Sequence, residues 1–277
     1  MDADLVFEAA DGRVLRTPFG HFGHALRYRT FLGYWVRRNV LTRYRQTTLG
    51  PLWAVLQPLM SSLVFAFVFG LLLRVNTPPV PYTVFVVTNL VLWTYSSRII
   101  TGSPGNILGS LDLITRIQFP REFLILGVFL EALTDLVLGL AVLAVFFAYY
   151  RMPLTIYLPL ALLVFLIHTM FALGVAFFVS AASIVVRDLL YIVPILLQLV
   201  MYLTPIVYPL DHVPGHLRLV YLLNPFATIF ASYQETLLFG RFTLAGPLAI
   251  SAAISAVLLV TGYVVFKRLE WKLADVL

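Results

Sequence analysis

Two acids stand where acids are rare. Glu131 and Asp135 interrupt the otherwise uncharged stretch 123–149. Their spacing of four puts both on one face of a helix. Within a bilayer each charge costs at least about 2.5–3.5 kcal/mol on insertion scales. Neighbouring carboxylates also raise one another's proton affinity. The pattern has two readings. One is a proton relay or cation site. The other, which the residues favour, is structural: pairing with Arg98, or hydrogen bonding to Gln57, Asn89, His168 or Gln198 across a helical bundle.

A second chemistry lies in "RRNVLTRYRQTTLGPLWAVLQP", which begins at Arg37. Arg37, Arg38, Arg43 and Arg45 surround Tyr44 and directly precede a long uncharged run. Guanidinium groups suit bidentate contacts to phosphate. His212 and His216 suggest a metal, but Pro214 breaks the helix that would align them. With no cysteine in the chain, thiolate metal sites and cysteine nucleophiles are excluded. No Ser/His/Asp arrangement, no HExxH and no GxxxxGK[ST] loop occurs. ATP therefore has no Walker site on this chain, and any ATP-driven motor is a separate chain.

These residues need a membrane to position them. The chain has 277 residues, 61% hydrophobic and 12% charged, against roughly 25% charged in a soluble domain. Its mean hydropathy is +0.94. An all-α integral membrane protein is expected, because the apolar runs are continuous rather than alternating. Six runs are long enough to span: 51–73, 82–100, 123–149, 159–186, 189–210 and 242–266. The first 30 residues lack the apolar core of a signal peptide, so the N-terminus is expected to stay inside. Fifteen of the 19 Lys and Arg residues then fall on the inner side, which also returns Lys267, Arg268 and Lys272 to the cytoplasm. This topology accounts for the net charge of +6 better than nucleic acid does.

Three segments between the spans complete the expected architecture. Residues 31–48 form an amphipathic helix suited to the membrane interface, with Leu32, Trp35, Val36, Val40 and Tyr44 at helical spacing. In 96–123, Gly102, Pro104, Gly105 and Gly109 are expected to break the second span. Leu111, Ile114 and Ile117 then form one face of a short cytoplasmic helix, stopped before Pro120. Segment 209–241 is too apolar for a solvated loop. It reads as two short re-entrant helices split at Asn224-Pro225, with Leu217, Val220, Tyr221, Phe226, Ile229, Phe230, Leu237 and Leu238 requiring burial. The domains are a tail over 1–26, an interfacial helix and turn over 27–50, a six-span domain over 51–266 and a tail over 267–277.

"LTRYRQTTLGPLWAVLQPL" closely resembles the start of the membrane subunit of ABC exporters for lipid-linked polysaccharides, the O-antigen and teichoic-acid type of type-2 ABC export permease. "NILGSLDLITRIQFPRE", "VVRDLLYIVPILLQLVMYLTPIVYPL" and "LLNPFATIFASYQETL" resemble later parts of that family in the same order. Glu131 lies outside the family pattern and takes no role from it. The resemblance implies a permease homodimer carrying two copies of a separate ATPase, which holds the ATP and magnesium. It implies no cofactor in this chain and an undecaprenyl-linked glycan as cargo, in a bacterial cytoplasmic membrane with both termini inside. A headgroup entrance is then expected at Arg43, Tyr44, Arg45, Leu49 and Gly50. ATPase contacts are expected at Arg37, Arg38, Leu111, Asp112, Ile114 and Arg116. Sugars stack on aromatic rings, so Trp93, Tyr95, Tyr202 and Tyr208 are candidates to line a channel, although such residues also populate interfacial belts. Two other readings remain: a type-2 permease for a drug or another lipid, and a membrane enzyme acting on lipid-linked sugar.

Overall fold

The computed structural model describes residues 33, 50, 52–111, 114 and 119–270, apart from the side chains of residues 54, 55, 57 and 58. The expected interfacial helix, both terminal tails, the Gln57 side chain, and Arg37, Arg38, Arg43, Tyr44, Arg45, Leu49, Asp112 and Arg116 lie outside the described residues.

Among the described residues every regular element is helical. Helix α1 spans Leu52–Phe65 and continues as a π-helical segment, Ala66–Leu72. Then follow α2 (Tyr82–Leu108), α3 (Glu122–Tyr149), α4 (Leu158–Val185) and α5 (Leu189–Tyr202). A 3-10 turn at Leu210–His212 leads to α6 (Gly215–Leu223) and α7 (Pro225–Tyr233). Helix α7 continues as a π-helical segment, Gln234–Phe239, and α8 (Ala245–Leu269) ends the bundle.

Four helices, α2, α3, α4 and α8, are long and apolar enough to cross a membrane. Helix α5 is as apolar but has 14 residues, and at about 1.5 Å per residue that covers about 21 Å of a core roughly 30 Å thick.

The break expected at Gly102 does not occur. Helix α2 runs unbroken through Pro104 to Leu108. Proline and glycine cost about 3 and 1 kcal/mol in a helix interior, yet here they are offset by packing. Ser103, Pro104 and Ile107 are buried. A Cβ on Gly102 would stand 3.0 Å from Val128 Cγ1, so its hydrogen is what lets α3 approach. Asn106 Nδ2 donates to the Leu124 carbonyl at 2.8 Å, tying the same two helices.

Small residues set the other close seam. A Cβ on Gly262 would lie 2.5 Å from the Gly174 carbonyl oxygen, and one on Gly174 would lie 2.7 Å from the Leu259 nitrogen. Helices α4 and α8 therefore meet backbone to backbone, the packing that small residues allow in a bilayer.

Asn224 and Pro225 do divide the long segment, for a local reason. The Asn224 side chain accepts from the Phe226 amide at 3.1 Å, and Pro225 occupies the first turn, where no amide donor is missed. Helix α7 is buried from Phe226 to Tyr233. Helix α6 has no buried residue, so the expectation that Leu217 and Val220 need burial in protein fails. An apolar side chain facing lipid loses nothing by exposure.

Candidate functional site

Charge inside the bundle is concentrated where α2 faces α3. Arg98 Nε lies 2.9 Å from Asp135 Oδ2, and Arg98 Nη2 lies 3.6 Å from Glu131 Oε2. The i,i+4 spacing of the acids puts both carboxylates before one guanidinium. Glu131 is buried, while Arg98 is part-exposed. The Nε approach is a charge contact rather than an aligned hydrogen bond. Such an arrangement holds two helices together and neutralises charge that the membrane would otherwise reject.

Asn89, His168 and Gln198 lie elsewhere. Asn89 Nδ2 donates to the Phe85 carbonyl at 2.9 Å, and Asn89 Oδ1 accepts from Gln234 Nε2 at 3.2 Å. Gln234 Nε2 also donates to the Pro205 carbonyl at 2.5 Å. His168 is fully enclosed, with Nδ1 3.4 Å from the Tyr233 hydroxyl and Nε2 without a hydrogen-bond partner among the described residues. Asn89 and His168 thus form a second polar set that grips α7, and Gln198 is exposed on α5. Gln234 was not singled out in the sequence, although an amide within "FASYQETLLF" is a signal of the same kind as Gln57.

Two of the four aromatic candidates are structural. Trp93 packs on Phe226 and Phe230, with centroids 5.2 and 6.0 Å away. The Tyr95 hydroxyl bonds Thr169 Oγ1 at 2.9 Å while its ring lies against Phe165 and His168. Both are buried between α2, α4 and α7 and have no face left for a sugar. Tyr202 keeps its ring exposed. The Tyr208 hydroxyl donates to the Tyr202 carbonyl at 3.0 Å and meets the Tyr221 hydroxyl at 2.6 Å. The pair forms an aromatic edge beside α6.

Of the expected entrance, Gly50 is described. Its φ is +52°, with nothing within 4 Å of where a Cβ would stand. Backbone conformation, not crowding, favours glycine there. The Gly50 carbonyl accepts from the Trp53 amide at 3.3 Å, starting α1.

Leu111 and Ile114 are helical and pack against the core. Just beyond them lies an ionic junction absent from the sequence reading. Lys267 Nζ meets Glu122 Oε2 at 2.6 Å and Glu270 Oε1 at 3.2 Å. Arg121 Nη1 donates to the Glu270 carbonyl. Burial raises the Glu270 carboxyl above its usual range, opposed by Lys267. Its partners are 145 residues apart, and no local pattern reports such a distance.

At the opposite end, Asp211 bridges Arg218 at 3.0 Å and Arg241 at 3.3 Å. Glu235 accepts from the Thr243 amide and hydroxyl, both at 2.6 Å. Among the described residues no group of three or more His, Cys, Asp or Glu is placed to hold a metal.

Comparison with known proteins adds identity to this geometry. The profile of the ABC-2 type transporter family matches residues 31–238. The O-antigen export system permease protein RfbA of Myxococcus xanthus is 33% identical over 251 residues, covering 90% of this chain and 95% of that protein. Its namesake in Klebsiella pneumoniae is 27% identical, covering 87% and 92%. The polysialic acid transport protein KpsM of Escherichia coli is 26% identical, covering 84% and 91%.

Proposed function

The chain belongs to the ABC-2 type transporter family, and from that premise we propose how it works. It is the membrane permease subunit of an ABC polysaccharide exporter. The observation that carries this is the 33% identity to an O-antigen export permease across 90% of the chain. The ATPase is a separate subunit and supplies the ATP and magnesium chemistry. The cargo is a glycan on an undecaprenyl phosphate or pyrophosphate carrier, crossing the bacterial cytoplasmic membrane.

In this reading α1 and α5 complete six spans around the four long helices, both termini are cytoplasmic, and α6 and α7 are re-entrant from outside. Two copies assemble around the glycan path with two ATPases. Arg43 and Arg45 attract the lipid phosphate, Tyr44 and Leu49 flank it, and the left-handed Gly50 sets the chain direction between the basic segment and α1. Exposed Tyr202, with Tyr208 behind it, supplies an aromatic edge for sugar faces. Arg37, Arg38, Leu111, Asp112, Ile114 and Arg116 meet the ATPase. Arg98, Glu131 and Asp135 hold α2 on α3 and carry no proton current, since ATP is the driver.

The test is glycan-stimulated ATPase activity of the reconstituted complex. Arg45→Ala is expected to assemble normally yet weaken apparent glycan affinity about ten- to hundredfold, the size of a lost charge-assisted hydrogen bond of roughly 1.5–3 kcal/mol. Arg45→Lys recovers part of it, and Gly50→Val is worse, because valine resists a positive φ. Wild-type stimulation in Arg45→Ala and Gly50→Val would sink the entrance assignment.

A further inference from the structure

We infer that the junction of Arg121 and Glu122 with Lys267 and Glu270 is a tie that carries ATPase-driven movement of the loop between α2 and α3 into the last helix. Four observations converge on it.

The loop leads straight into the junction. Leu111, Ile114 and Phe119 pack inward, and the chain then passes through Pro120 to Arg121 and Glu122 at the start of α3. Movement of the loop must displace these residues first.

The junction links helices that otherwise touch little. Among the described residues α3 and α8 are not an extensively packed pair. Across that gap, Lys267 at the end of α8 reaches Glu122 at 2.6 Å, and Arg121 reaches the Glu270 carbonyl. An ionic link of this kind can pull as well as push.

It is sheltered from salt and water. The side chains of Glu122, Lys267 and Glu270 are 9%, 16% and 23% exposed. The Lys267 ammonium lies 6.0 Å from the Tyr263 ring centroid. Partly buried pairs are screened far less than surface ones.

Finally, what the tie pulls on is rigid. Tyr263 and Phe266 both pack on Phe177 of α4, at 5.5 and 5.6 Å. Gly262 fixes α8 against Gly174. Movement delivered to Lys267 therefore moves α4 and α8 together.

This rests on the loop being the ATPase contact, and the experiment separates the two ideas. Crosslinking from Asp112→Cys and Arg116→Cys tests the contact. Loss of that crosslink in the otherwise wild-type complex sinks the parent reading. The tie is tested by glycan exported per ATP in vesicles holding the whole transporter and its lipid-linked glycan. Lys267→Met and Glu122→Gln are expected to keep the crosslink and most hydrolysis, yet export about tenfold less glycan per ATP, within the range of ordinary coupling energies. The exchanged pair, Glu122→Lys with Lys267→Glu, restores the ratio to within about threefold. If Lys267→Met does not reach the membrane, Lys267→Arg keeps the charge on a differently shaped head, and its ratio is read in the same way. A wild-type ratio in the single variants overturns the tie. So does an equal fall in hydrolysis and export without rescue by the exchange, which would mark a merely stabilising ion pair.

Discussion

Helices α6 and α7 are adjacent, nine residues each, and have opposite fates. Helix α6, "GHLRLVYLL", has no buried residue. Helix α7, "PFATIFASY", is buried from its second residue to its last. The leucines are on the exposed helix. The buried one carries Ala227, Thr228, Ala231 and Ser232 between its aromatic rings. In water this would be paradoxical. In a bilayer, lipid satisfies leucine as well as protein does, so apolarity does not demand a protein neighbour. Small residues permit close approach, and polar residues demand partners. Helix α7 and its π-helical continuation have both: Gln234 reaches Asn89 and Pro205, Tyr233 reaches His168, and the Thr236 carbonyl accepts from Thr155. Helix α6 is held by the exposed Asp211–Arg218 pair and by Tyr221.

The contrast can be broken by substitution, read as thermal or denaturant stability of the purified protein. Phe230→Ala is expected to cost most, about 3–5 kcal/mol, because Phe230 is fully enclosed against Trp93 and His168. A loss no larger than that of Leu219→Ala on α6 would abolish the distinction. Gln234→Ala comes next, at roughly 1–3 kcal/mol, since the carbonyls of Asn89 and Pro205 lose their donor. The buried-amide argument needs Gln234→Glu to be tolerated no better, as an added charge finds no cation among those partners. Asn224→Ala removes the cap of α7 and is expected to cost about 1 kcal/mol. If it instead loosened only α6, proteolysis near 215–223 would rise with no change in global stability. Arg218→Ala should cost at most about 1 kcal/mol, and less at high salt, because both partners are exposed. Leu219→Ala should fall within about 0.5 kcal/mol of wild type.

What was legible in the sequence follows the same division. Lipid-facing spans announce themselves, because their signal is local and additive. Helices α3, α4 and α8 lie close to the expected ranges. The acids at 131 and 135 have Arg98 as a partner, one of those that charge economy suggested. The split at Asn224-Pro225 was readable because capping chemistry is local. The end of α2 was misread, because glycine and proline report backbone cost and not the packing that outweighs it. Trp93 and Tyr95 were misplaced for a similar reason: a ring's neighbours depend on which helices meet. Lys267 was legible as a topology marker and not as the partner of Glu122, since 145 residues separate them.

The seam between Gly174 and Gly262 sets a limit on how this chain can vary. Along α8, Val257 and Val260 point outward, and any apolar residue would serve at either. At 262 even alanine brings a carbon within 2.5 Å of a carbonyl oxygen. A library randomised at both kinds of position, selected for export, would return wide variety at the first and glycine at the second. The outward face of the helix is free to drift, while position 262 has room for a hydrogen atom and nothing larger.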